Sequence, residues 1–170
     1  MVNWFKINCI EYGWFGMGLG RYFCEASGFL GYDMPRRFLS KLLRAIRENT
    51  EEWLYMMDEP GARMLHIYLK DGQVHFAEYR LSVESYELRN AEDEAAQRDQ
   101  CGECYFDMDV DIQSAVDGIV TEFSLYENGN GRKLYEEHWG AFPQKEFDQL
   151  KEYAGKLDGL FCATFLSPKR

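Results

Sequence analysis

The dipeptide Asp71-Gly72 constrains the fold of this chain more than any other feature, because it separates two runs with the composition of β-strands, 63–70 and 73–81. An Asp-Gly pair in this position is typical of a two-residue hairpin loop, and such a loop fixes which residues of the two strands face each other. On the side that we expect to be buried, the resulting pairs are Leu69 with Val74, Ile67 with Phe76 and Leu65 with Glu78. On the opposite side, the pairs are Tyr68 with His75, His66 with Ala77 and Met64 with Tyr79.

Helical and strand patterns on both sides of the hairpin predict further elements. Asp33 precedes a helix whose apolar residues recur at helical spacing: Phe38, Leu39, Leu42, Leu43 and Ile46. Further strands are predicted at 53–57, before a turn at 58–61, and at 105–112, where Asp111 can also cap a helix running to Tyr126. A loop is predicted at 128–131, a third helix at 143–159 and a final strand at 160–166.

Hairpins dominate this element order, which favours an antiparallel sheet over parallel strands joined by helices. The glycine- and aromatic-rich residues 1–32 are interpreted as an arm packed on the core, with a tight turn or an edge strand. The sequence therefore predicts a single α+β domain over 1–170, with an antiparallel sheet of about five to six strands and two to three helices mainly on one face.

The net charge of −10 restricts the classes of partner. Nucleic acids and anionic membranes attract clustered Lys and Arg, so we expect neither to be a ligand. An acidic surface suits a basic protein partner, and it also suits plain solubility. The segment 84–111 concentrates the charge, because it contains ten acidic and two basic residues.

Carboxylates in this segment are the candidate partner-binding residues. We expect loop residues at the rim of the contact and strand residues, which the sheet holds in place, nearer its centre. The rim candidates are Glu92, Asp93, Glu94, Asp99 and Glu103, and the central candidates are Asp107 and Asp109.

The cellular compartment is inferred from the absence of two patterns. Residues 1–10 lack the apolar run of a signal peptide, and no stretch of the sequence has the length of a membrane span. We therefore expect a cytoplasmic protein whose five cysteines are thiols.

Two groups of residues are candidate metal ligands. Cys101-Gly102-Glu103-Cys104 has the spacing of a zinc knuckle or a redox pair, although ordinary loop cysteines are the simpler interpretation. His66 and His75 lie on one face of the predicted hairpin, where metal binding and acid-base chemistry are alternatives to an aromatic packing face. No nucleophile or metalloprotease motif occurs, so we expect no cofactor and no enzymatic activity.

The order of elements from Asp33 to about Tyr126 resembles small bacterial immunity proteins of contact-dependent and polymorphic toxin systems. The matching elements are a capped amphipathic helix, a Trp-containing strand, the turn Asp58-Glu59-Pro60-Gly61, a paired hairpin and an alternating acidic strand. The likeness covers roughly half of the chain and includes neither the aromatic start nor the cysteine pair. It implies an acidic cytoplasmic inhibitor that binds a basic toxin domain, often a nuclease, and occludes its active site.

Three functional hypotheses follow from the sequence. The first is a non-enzymatic immunity or inhibitor protein. The second is a zinc-stabilised module or metal-dependent enzyme that uses Cys101 and Cys104 or His66 and His75. The third is an adaptor that forms oligomers through aromatic surfaces, for which the candidates are Trp4, Trp14, Phe15, Tyr68 and Tyr79. The oligomeric state itself is not encoded in any motif of the sequence.

Overall fold

Two antiparallel sheets and four α-helices form the described part of the chain. The computed structural model describes residues 4–28, 33–58, 61–81 and 98–165. The strands are β1 Phe5–Glu11, β2 Trp14–Leu19, β3 Tyr22–Ser27, β4 Glu52–Asp58, β5 Gly61–Lys70, β6 Gln73–Leu81 and β7 Cys101–Asp111. The α-helices are α1 Met34–Glu48, α2 Ile112–Ser124, α3 Gly129–His138 and α4 Gln144–Phe165. The α+β class is confirmed, but a three-stranded sheet (β1-β2-β3) and a four-stranded sheet (β4-β5-β6-β7) replace the predicted single sheet, and the helices outnumber the prediction.

The three-stranded sheet is formed by the glycine- and aromatic-rich start of the chain, where we expected only a turn or one edge strand. Tyr12 and Gly13 have φ angles of 47° and 80°, which suit the tight turn between β1 and β2. A Cβ atom at Gly16 would lie 2.9 Å from both Cys9 Sγ and the ring of Phe23, so these side chains would have to shift to accommodate it. Glycines that argued against a helix are thus required by the turns and close contacts of a small sheet.

The predicted hairpin is confirmed residue by residue. Asp71 and Gly72 have φ angles of 51° and 77°, as a type I′ turn requires, and every predicted pair between β5 and β6 is present. Ile67 and Phe76 are fully buried on the core side. Strands β4 and β7 pair with β5 and β6 respectively, which completes the four-stranded sheet.

Two helix caps predicted from the sequence are also confirmed. The backbone N–H of Arg36 donates to the Asp33 carboxylate (3.3 Å), and that of Ser114 donates to Asp111 (3.0 Å). Each carboxylate satisfies an N–H group that has no partner within its own helix. The change from strand β7 to helix α2 therefore occurs at Asp111.

Two predictions for the C-terminal part were wrong. Residues 129–131 begin α3 instead of forming a loop, and Gly131 is required there because a Cβ atom would clash with the backbone carbonyl oxygen of Leu125. Residues 160–165 continue α4 instead of forming a strand. Leucine and alanine favour helix, and the single Gly159 does not end it. Although α4 has 22 residues, no helix in the described ranges combines the length and apolar character needed to cross a bilayer.

Aromatic rings join the two sheets into one core. Trp4, just before β1, lies 5.2 Å from Phe76 of β6, and Tyr22 of β3 stacks on Phe106 of β7 at 4.7 Å between ring centroids. Helices α1, α2 and α4 contribute residues to the same core. One face of the four-stranded sheet is therefore covered by this core. The opposite face, which we call the outer face, carries a second, smaller cluster of buried residues: Tyr55, Met57, Ala62, Met64 and Leu81.

Three basic residues of α1, namely Arg36, Lys41 and Arg44, form ion pairs away from that outer face. Glu52 is buried at the start of β4, where Arg44 and Lys41 approach its carboxylate at 3.0 Å and 3.7 Å. Arg36 pairs with Asp33 and Glu146. These cations therefore form ion pairs with carboxylates near α1 and not with the carboxylates of β7.

We expect the same substitution, glycine to alanine, to have opposite effects at two positions. Gly72→Ala should lower the free energy of unfolding by about 1 kcal/mol, because its positive φ is unfavourable for a residue with a Cβ atom. Gly155→Ala, inside α4 and with open space around its Cβ position, should raise it by about 0.5–1 kcal/mol. Urea denaturation of both variants measures the two values. An equal effect of both substitutions would contradict the turn geometry.

Candidate functional site

Four rings form a continuous row on the outer face of the four-stranded sheet. We call Trp53, His66, Tyr68 and His75 the ring row. Trp53 pairs with His66 across β4 and β5, and the two rings stack at 4.0 Å with an interplanar angle of 7°. Tyr68 lies 4.5 Å from His66 on one side and 4.5 Å from His75 on the other. Alternation along β5 and the Asp71-Gly72 register place these rings next to each other.

Two carboxylates of β7 flank the last ring of the row. His75 Nδ1 lies 2.7 Å from Asp109 Oδ1, and its Nε2 lies 3.6 Å from Asp107 Oδ1. The imidazole is buried, whereas the side chains of Asp107 and Asp109 remain 65% and 45% exposed. His75 Nδ1 is thus within hydrogen-bonding distance of Asp109, and its Nε2 faces Asp107. The arrangement fixes two carboxylates that face solvent.

His66 is partly buried in the middle of the row, between Trp53 and Tyr68. Burial lowers its pKa below the ordinary value of 6.5, since the imidazolium loses hydration; Glu51 partly opposes this effect and His75 adds to it. Among the described residues, its buried Nε2 has no hydrogen-bond partner, and the Glu51 carboxylate lies 3.7 Å away. His66 therefore belongs to the row mainly as a neutral, stacked ring.

Cys101 and Cys104 lie on β7 and not in the loop that we expected. Cys101 is opposite Leu81 and Cys104 is opposite Tyr79, with shifts of register between them. These bulges bring both cysteines to the outer face although three positions separate them. Burial raises the pKa of both thiols, which disfavours the thiolate form that redox chemistry or metal binding uses.

The structure separates the proposed metal ligands from any common centre. No group of three or more His, Cys, Asp or Glu side chains within the described ranges is arranged to hold a metal ion. Cys104 Sγ donates to the carbonyl oxygen of Phe106 at 3.1 Å, so this thiol already has a local partner.

The predicted partner-binding residues divide into three sets. Asp107 and Asp109 lie together beside His75. Glu103 is exposed on β7, and Asp99 is 81% exposed in the short 3₁₀ turn Arg98–Gln100, where it pairs with Arg98. Glu92, Asp93 and Glu94 lie outside the described residues.

The aromatic residues predicted to form oligomer contacts lie partly in the core and partly on the outer face. Phe15 is fully buried and Trp4 packs against the core. Tyr68 and Tyr79 are half-buried on the outer face, where Tyr79 lies 5.8 Å from Trp53. The aromatic surface near Asp107 and Asp109 therefore comes from the four-stranded sheet.

Sequence reasoning missed Trp53 as a member of the site. The turn that pairs Asp58 with Gly61 extends to a pair between Trp53 and His66, as observed. The predicted turn at 58–61 fixes the register of these two strands, and this register already places the Trp53 indole next to His66.

No protein-family model, curated protein or solved structure matches this chain. Its function is therefore inferred from the geometry of its own residues.

The lowered pKa of His66 predicts a pH dependence of stability. Below pH 6.5 the unfolded state takes up a proton at this residue before the folded state does, so acidification should lower the free energy of unfolding. His66→Phe keeps an aromatic ring in the row and removes the titrating group, and the variant should lose less stability between about pH 7.5 and about pH 5.5. Chemical denaturation across this range tests the effect. An unchanged pH dependence in the variant would show that burial of His66 is not its source.

Proposed function

We propose that this chain is a non-enzymatic binding protein that inhibits a basic protein, and more specifically an immunity protein that occludes the active site of a toxin domain, such as a nuclease. In that role it acts in the cytoplasm of the cell that it protects. The observation that supports the proposal best is the pair of exposed carboxylates, Asp107 and Asp109, fixed on a strand beside the buried His75.

Rigid carboxylates are effective binding groups. A carboxylate on a flexible loop must lose conformational freedom when it pairs with a cation, whereas Asp107 and Asp109 are already positioned by β7. No Lys or Arg side chain in the described ranges forms an ion pair with either of them. Their charge is thus directed to solvent, where the cations of a partner can approach.

The ring row provides an apolar surface next to this charge. Trp53 and Tyr68 are half-buried, so part of each ring faces solvent. Aromatic side chains are enriched at the centres of protein interfaces, and polar groups surround them. A basic side chain that pairs with Asp107 or Asp109 would have its aliphatic part near these rings.

We expect neutralisation of the two strand carboxylates to weaken the complex mainly through faster dissociation. For the combined variant Asp107→Asn and Asp109→Asn, the dissociation rate from the toxin domain encoded beside this chain should rise roughly tenfold or more. Surface plasmon resonance measures both rate constants. The matched control, Asp117→Asn with Glu137→Gln, removes the same charge from exposed positions on α2 and α3 and should leave the dissociation rate near the wild-type value.

The salt dependence gives a second criterion. Combined neutralisation of Glu92, Asp93 and Glu94 should mainly slow association, and more strongly at low salt, because distant charges accelerate encounter. Equal affinity of the wild type and the strand variant, together with binding that does not depend on salt, would contradict the proposed electrostatic site.

A further inference from the structure

Strand β7 is the open edge of the four-stranded sheet. In the order β4-β5-β6-β7, it has a hydrogen-bonded strand on one side only among the described residues. The other sheet ends lie against neighbouring elements: β4 against β3 and α1, and β1 against α2. At the last of these contacts, the backbone N–H of Ile7 donates to the Glu122 carboxylate at 3.2 Å.

The exposure of its side chains confirms that β7 borders solvent. Phe106 and Val110 are buried on the core side, but Met108 between them is only half-buried. The core therefore ends at this strand and leaves part of the Met108 side chain uncovered. An additional strand beside β7 would cover it.

Only part of this edge is regular enough to accept another strand. Residues 106–111 pair with 73–78 of β6 without a shift of register, whereas shifts occur between Glu78 and Leu81. Bulges interrupt the regular spacing of backbone groups. Asp111 starts α2, so the usable edge runs from Phe106 to Asp111.

The negative charge of this edge determines which kind of strand can pair with it. If the β7 strands of two copies paired, carboxylates such as Asp107 and Asp109 would come close to those of the other copy, and like charges in neighbouring strands are destabilising. A second copy of this chain is therefore a poor partner. A strand with basic side chains on the same face would instead place the Cβ atoms of Lys or Arg about 5 Å from those of Asp107 and Asp109, so that opposite charges become cross-strand neighbours.

We propose that residues 106–111 accept an extended segment of the basic partner as an additional strand of the sheet. This mode of binding rests on the proposed function and specifies how the partner is held. Backbone hydrogen bonds along β7 contribute affinity, and side chains of alternating character determine specificity. The segment has Lys or Arg on the face shared with Asp107 and Asp109 and apolar residues on the face shared with Met108.

Synthetic peptides test this mode of binding directly. The probe is a short peptide of alternating lysine and valine, and its controls are an isomer with grouped lysines and a fully backbone N-methylated version. N-methylation keeps all charges and side chains but removes the N–H groups that a strand donates. We expect the alternating peptide to bind the full chain at low salt, the grouped isomer to bind more weakly, and N-methylation to reduce affinity roughly tenfold or more. Hydrogen exchange on the full chain should slow at amides within 106–111 when the parent peptide binds.

The outcomes separate this inference from the proposed function. Equal binding of the parent and N-methylated peptides, with weaker binding to the chain carrying Asp107→Asn and Asp109→Asn, would overturn strand addition and leave the acidic surface in place. Equal binding to that variant and to the wild type would count against the acidic surface as well. Failure of the parent peptide to bind at low salt would also overturn strand addition, whereas the toxin-binding experiment would still test the acidic surface.

Discussion

The register of the β5–β6 hairpin is the constraint on which the rest of this structure depends. Asp71 and Gly72 accept the positive φ angles of the turn, and the turn then determines which side chains of the two strands share a face. A slip of one residue would move Ile67 to the outer face and His66 to the core. The pairing of Tyr68 with His75 and the separation of core residues from outer-face residues follow from this register.

Several basic side chains form ion pairs with carboxylates other than Asp107 and Asp109. Arg44 and Lys41 approach the buried Glu52, and Arg63 lies between Asp58 and Glu78. The pKa of Glu78 is raised because burial disfavours its charged form, although Arg63 opposes this effect. Buried carboxylates thus form ion pairs with nearby basic side chains. Asp107 and Asp109 instead contact the buried imidazole of His75 and remain partly exposed to solvent.

Short sequence patterns predicted the parts of the fold that depend on neighbouring residues in the chain. The hairpin register, the caps at Asp33 and Asp111 and the common face of His66 and His75 follow from turn geometry, capping and alternation. The division into two sheets depends on contacts between distant residues, such as Trp4 with Phe76, which no local pattern encodes. Similarly, the bulges that turn Cys101 and Cys104 to one face arise from pairing with β6. In the candidate site, Asp107 and Asp109 were predicted, but their contact with His75 required the register of β7 on β6.

The central claim is that a partner binds along β7, and mapping the bound surface in solution tests this claim most directly. In a complex with the proposed basic partner, NMR cross-saturation to the isotope-labelled full chain reports which of its amide and indole protons lie at the interface. We expect saturation of amides in β7 from Phe106 to Asp111 and of the Trp53 indole, with little effect on α3, which packs against β1. Saturation confined to β1–β3 or α3, with β7 unaffected, would contradict the claim.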